Sequence, residues 1–122
     1  AVTFDQELLG KPRDRSDAHA MLLKLSGRTH WVHTGVTLIF GSFMETIHSS
    51  TAVSFDELSE REQQDYLDCG EWMGKAGGYA IQGQAARFIK NLSGSYSGVV
   101  GLPLWETWEL LRRAGWEQRD VL

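Results

Sequence analysis

THWVHTGVTLIFGSFMETIHSSTAVSF, residues 29–55, decides the fold. From Thr29 to Phe40 a period of two puts Val32, Thr34, Val36, Leu38 and Phe40 on one face, and β-branched residues dominate, which predicts a long strand. Gly41-Ser42 supplies a turn. Ile47, Ser49, Thr51, Val53 and Phe55 then repeat the period, predicting an antiparallel partner and hence a hairpin. Upstream, DRSDAHAMLLKLSG places Ala18, Met21, Leu22 and Leu25 at i, i+3, i+4 and i+7, with Asp14 or Ser16 as N-cap and Gly27 as terminator: an amphipathic helix. Val2 and Phe4 already alternate before a turn at Asp5-Gln6. The chain therefore opens inside a strand, with more of the protein expected upstream.

Downstream of the hairpin, Ser59 and Glu62 have capping-box spacing and open a short helix to about Asp68, polar enough to be mostly solvated. In AARFIKNL, Phe88, Ile89 and Leu92 fit either a strand or a short buried helix, and the strand reading is preferred. Pro103 opens a last helix with Leu104, Trp108 and Leu111 on one face, Glu109 paired to Arg113, and Gly115 at its close. No repeat or linker divides the chain, so residues 1–122 form one domain of helices and an antiparallel hairpin, α/β or α+β.

With 122 residues and 42% apolar side chains, the chain has the size and composition of one folded domain. It has no run of about 18 apolar residues to span a bilayer and no signal-peptide pattern, so the reading is a cytoplasmic protein without membrane contact. A net charge of −4 argues against nucleic-acid backbone binding, which needs a surplus of Lys and Arg; small anions stay open as ligands. The lone cysteine, Cys69, excludes an internal disulfide and reads as a small half-buried residue.

Chemistry concentrates in GKAGGYAIQG, residues 74–83. It is no Walker loop: Gly70 and Gly74 enclose three residues rather than four, and Ala76 follows Lys75 where Ser or Thr is needed. The spacing from Gly77-Gly78 to Gly83 also fails the dinucleotide fingerprint. Glycines nonetheless let main-chain N–H groups approach a ligand, Lys75 offers a charge for phosphate, and Gln82 a donor and an acceptor for a base edge. A tight turn with a solvated lysine is the alternative. LGKPRD sets Lys11 and Arg13 around Pro12 at a strand-to-helix junction, a ligand site or a plain basic turn. GSYSGVVGLP, with Ser95, Tyr96 and Ser97, is either a pocket wall or a packing turn. His30 and His33, three apart in a strand, point to opposite faces and do not share a metal. His19 and His48 have no ligand set around them, and the five tryptophans read as core and rim packing.

Taken together and in this order, LLGKPRDRSDAHAMLLKLSGRTHWVHTGV, KAGGYAIQG and GSYSGVVGLPLWET resemble the Maf family of nucleoside triphosphate pyrophosphatases over nearly the whole chain. The resemblance implies an α/β fold like that of inosine triphosphate pyrophosphatases, a mixed sheet with flanking helices, incomplete here at its N-terminus. It also implies hydrolysis of a nucleoside triphosphate to the monophosphate and pyrophosphate, a divalent metal (magnesium, or manganese in its place), and a homodimer. KAGGYAIQG looks like the branch acting on dTTP and UTP. By the same resemblance Lys11 contacts the triphosphate in catalysis, Lys75 is the lysine of the family's Asp-Lys-Ala-Gly, and Gln82 is associated with pyrimidine choice; the junction reading adds Arg13 to substrate binding.

Gly74 departs from that pattern, where Asp is commonest, and so removes a carboxylate beside Lys75. The family's Ser-Pro-Arg-Arg loop, acidic metal ligand and Asp-Thr pair would all precede Ala1. General-base catalysis alone is worth roughly 10²–10⁴-fold, so activity near background is expected of these residues by themselves. The alternative expectation is a noncatalytic Maf lobe that binds nucleotide weakly or only self-associates.

Overall fold

The computed structural model describes residues 1–116. A short β-hairpin, β1 (Val2–Phe4) and β2 (Glu7–Leu9), leads into helix α1 (Arg15–Leu25); the long strands β3 (Thr29–Phe40) and β4 (Phe43–Phe55) follow. Helix α2 (Glu60–Cys69), two 3₁₀ turns at Ala76–Gly78 and Gln84–Phe88, strand β5 (Ile89–Ser93), and helices α3 (Tyr96–Val100) and α4 (Leu104–Arg113) complete the chain. The sheet order is β2-β1-β3-β4-β5, with each of these pairings antiparallel. This is the expected α/β architecture of a sheet with flanking helices. No helix among the described residues is long and apolar enough to cross a membrane.

The β3–β4 ladder runs in register from Thr29↔Ser54 to Phe40↔Phe43 around the Gly41-Ser42 turn. Only its inner half is covered. His30, Val32, Val53 and Phe55 are buried, whereas the expected inward face fails from Thr34 outward: Thr34, Val36 and Leu38 are half-buried and Phe40 is exposed. Strand β1 pairs β3 at Val2↔Val32 and Thr3↔Trp31, at the end of the hairpin where the buried residues lie. At the tip Ile39, Phe40 and Met44 are 69%, 62% and 73% exposed.

Helix α1 is capped by Asp14, whose carboxylate accepts from Asp17 N–H at 2.8 Å, and it buries Ala18, Met21, Leu22 and Leu25 as the spacing predicts. The capping box on α2 is reciprocal: Glu62 N–H donates to Ser59 Oγ and Ser59 N–H to Glu62 Oε1. Although polar, α2 buries Gln63, Tyr66 and Leu67. Gln63 is satisfied on both sides, its amide donating to Leu58 C=O and its oxygen lying 3.0 Å from His19 Nε2.

Three expectations need correction. In AARFIKNL the strand begins only at Ile89, because residues 84–88 coil into a 3₁₀ turn that buries Ala85 and Phe88. Helix α4 buries Leu110 rather than the expected face, leaving Leu104 and Trp108 exposed and Leu111 half-buried, while its Arg113 reaches Glu45 on β4 at 2.7 Å. Cys69 is exposed rather than half-buried, at the last position of α2. Of the tryptophans, Trp72 alone joins the core, its indole N–H donating to Leu67 C=O.

Candidate functional site

The glycine-rich segment starts where Gly70, in the left-handed conformation at φ 73°, ends α2. The 3₁₀ turn Ala76–Gly78 follows, and it is pinned to the N-terminal hairpin: Gly77 N–H donates to Gly10 C=O at 3.0 Å. Gly77 has φ +77°, and a Cβ there would meet Val2 Cγ1 at 3.1 Å. Both the positive φ and the close approach call for glycine. The chain then turns inward at Tyr79, whose hydroxyl lies 2.6 Å from His30 Nε2 in the core. Phe55 packs edge-on against both rings.

Between these anchors the segment forms one wall of a cleft of about 420 Å³. Lys75 and Gln82, both exposed, line it together with Ala76 and Ile81; Val32 to Gly35 of β3 form the floor, and Val99 to Gly101 at the end of α3 close the far side. That far side is built by GSYSGVVGLP, which serves as a packing turn and a pocket wall at once. Ser95 Oγ accepts from Gly98 N–H, and Gly98 C=O accepts from Thr34 Oγ1 at 2.8 Å, tying α3 to the floor. Gly98 leaves no room for a side chain, because a Cβ would stand 2.8 Å from Ser49 Oγ.

The structure thus brings Lys75 and Gln82 into one cavity. Lys11 is exposed in the adjoining loop, next to the Gly10 carbonyl that holds Gly77, but is not part of the cleft wall. Arg13 points away: it is 86% exposed and reaches Asp17 on α1 at 3.5 Å. His30 and His33 do lie on opposite faces of β3. His33 is held by Ser50 Oγ at 2.9 Å and Thr3 Oγ1 at 3.1 Å.

Charge in the cleft favours an anion: Lys75 is a cation and no Asp or Glu lines the wall. Burial pushes the His30 imidazole down to about 4 and raises the Tyr79 phenol above its usual value, so both stay neutral at pH 7. The same lack of carboxylates bears on a metal. Among the described residues no group of three or more His, Cys, Asp and Glu could hold an ion, so these residues do not fit a divalent-metal centre.

Sequence reasoning missed the residues that brace the segment. Tyr66, Glu71 and His30 are separated from it in the chain, and only the folded structure shows that they meet it.

The whole arrangement belongs to a recognisable pattern, since the family described as Maf-like protein matches residues 1–114. The chain belongs to the Maf family. Curated relatives of this Maf chain include the dTTP/UTP pyrophosphatases of Bordetella avium (54% identical over 114 residues), Dechloromonas aromatica (50% over 114) and Nitrosomonas europaea (52% over 114). Each alignment covers 93% of the present chain and 55–57% of the relative. The Maf chain therefore spans little more than half the length of these proteins.

Proposed function

We propose that this chain forms the nucleotide-binding wall of a pyrophosphatase, and that the whole protein hydrolyses dTTP and UTP to the monophosphate and pyrophosphate. One observation carries the reading: a single glycine-rich segment presents a lysine and a glutamine to the same cleft. The names of the relatives supply the substrate class. In this reaction a water oxygen bonds to the α-phosphorus as the bond from that phosphorus to the bridging oxygen breaks. Pyrophosphate leaves with the bridging oxygen, and a base takes the water proton.

The roles follow from donor chemistry. Lys75 neutralises phosphate charge at the cleft and Lys11 adds a second cation from the neighbouring loop, whereas Arg13, engaged with Asp17, would join substrate binding only by leaving that pair. Gln82 offers an N–H donor and a carbonyl acceptor together, which suits the alternating carbonyl and N–H edge of uracil or thymine. The magnesium or manganese ion that the family resemblance implies finds no ligand set among the described residues, and these binding roles do not require it.

A homodimer in the cytoplasm completes the proposal. Paired Ile39 and Met44 at the hairpin tip, both exposed, are apolar surface of the kind that partners cover, and a triphosphate substrate is available in the cytoplasm. A second reading, a lobe that binds nucleotide without hydrolysing it, rests on the chemistry of Lys75 and Gln82, both of which are binding groups.

Pyrophosphate release from UTP, dTTP and GTP by the whole protein with magnesium, measured beside equilibrium binding, separates the two. Release that favours UTP and dTTP and is lost in Lys75→Ala supports hydrolysis. Binding without release selects the second reading, and neither binding nor release overturns both.

A further inference from the structure

We infer that Tyr66 and Glu71 act as one device that positions Gln82 for base selection, an inference that rests on the nucleotide reading above. Gln82 sits on an exposed bend, and the main chain is gripped two residues before it and two after it by this linked pair. Ahead of it, Ala80 N–H donates to the Tyr66 hydroxyl oxygen at 3.3 Å. Behind it, Gln84 N–H donates to Glu71 Oε2 at 2.8 Å, and Ala85 N–H reaches Glu71 Oε1 at 3.4 Å. The two anchors are themselves joined, because the Tyr66 hydroxyl donates to Glu71 Oε1 at 2.9 Å. A single network of four hydrogen bonds therefore encloses the glutamine.

Several features mark this network as built for its place. Tyr66 is fully buried and its ring is held edge-on by Phe88, so the hydroxyl has one position. Burial and the neighbouring Glu71 carboxylate raise the phenol above its usual range, which keeps the donated proton on Tyr66. Gly83, between Gln82 and the gripped Gln84, has to be glycine because a Cβ there would overlap the Glu71 carboxylate. Apolar packing alone would bury Ile81 and Ala85; it would not fix the rotation of the peptides around Gln82, which two directional anchors do. Selection between base edges depends on that rotation, since each hydrogen bond weakens steeply off axis.

The test compares binding of UTP, GTP and inorganic tripolyphosphate to the 122-residue chain, to Glu71→Gln and to Tyr66→Phe, by calorimetry, with urea denaturation of each. Glu71→Gln keeps the size of the side chain but turns a donor or a weaker acceptor toward Gln84 N–H; Tyr66→Phe keeps the ring in the core and removes only the hydroxyl. Each variant is expected to lower the UTP-to-GTP affinity ratio by about fivefold or more, the worth of roughly one hydrogen bond, with tripolyphosphate affinity within about twofold of wild type. An unchanged ratio in both variants overturns the inference while leaving the nucleotide reading intact. So does parallel weakening of all three ligands in step with lost stability, the signature of a structural role alone. A wild-type chain without preference for UTP overturns the nucleotide reading, and the inference with it.

Discussion

Tyr79 and His30 meet in the core with 2.6 Å between the hydroxyl and Nε2, joining the glycine-rich segment to the central strand β3 through one polar contact. The imidazole Nδ1 is buried without a hydrogen-bond partner among the described residues, so the Nε2 contact is the ring's one hydrogen bond there. Tyr79→Phe is expected to destabilise the fold by about 1–3 kcal/mol, the cost of leaving a buried polar ring unpaired. Urea denaturation checks it, and a loss under half a kilocalorie would mean that the bond contributes little.

The same ring makes stability pH-dependent. Burial holds His30 down to about 4 in the fold, against about 6.5 for an exposed imidazole, so between those values the unfolded chain binds the extra proton. The contribution of this group is therefore constant above about pH 6.5, is lost as pH drops toward 4, and changes no further below that, about 3 kcal/mol in all. Denaturation midpoints at pH 7, 6, 5 and 4 would follow this course, and His30→Leu should flatten the part due to this group.

Lys75→Ala is expected to weaken triphosphate binding by tenfold or more, taking about 1.5–3 kcal/mol for a charged hydrogen bond. Lys11, outside the cleft wall, should cost less when changed to Ala. Equal losses from the two variants in a titration with UTP would remove the ranking that the cleft geometry implies.

Gln82→Ala should change the preference between UTP and GTP and leave stability within about 0.5 kcal/mol, because the side chain is exposed. Loss of the same factor against both nucleotides, with the fold unaltered, would count against a role in base choice.

Gly74 and Gly77 offer a paired comparison. Both have positive φ, but a Cβ at Gly74 meets nothing within 4 Å whereas one at Gly77 presses on Val2. Gly74→Ala should cost about 1–2 kcal/mol from backbone strain alone, and Gly77→Ala measurably more. Melting curves giving the two variants the same stability would rule out a contribution from the Val2 contact.

Local signals made much of this fold legible. Asp14, the Ser59 and Glu62 box, the α1 stripe and the alternation of β3 and β4 each act within a few residues, and the structure has all of them. What failed depended on distant partners. Alternation cannot show which part of a long strand lies over the core, so Val36 is only half-buried and Phe40 exposed, nor can helix spacing show that Leu110 rather than Leu104 or Trp108 is the buried position of α4. The site divides in the same way. Lys75 and Gln82 stood out because they interrupt a run of small residues, while Tyr66 and Glu71 look like ordinary members of a polar helix and its exit. Their link to Ala80 and Gln84 exists only after the chain has folded back.

The Gly41-Ser42 turn also sets an order of events in folding. From Phe40↔Phe43 outward, each of the twelve pairs in the β3–β4 ladder closes on a loop already shortened by the one before it. Strand β1 must instead find Val32 and Trp31 across the whole of α1. Closing such distant contacts costs more chain entropy before any contact repays it, so the hairpin zips first and the cleft floor exists before either of its walls. Pulse-labelled amide exchange during refolding should find β3 and β4 amides protected ahead of those in the 3₁₀ turn at Ala76–Gly78, and the proposed nucleotide wall would then be among the last parts to form.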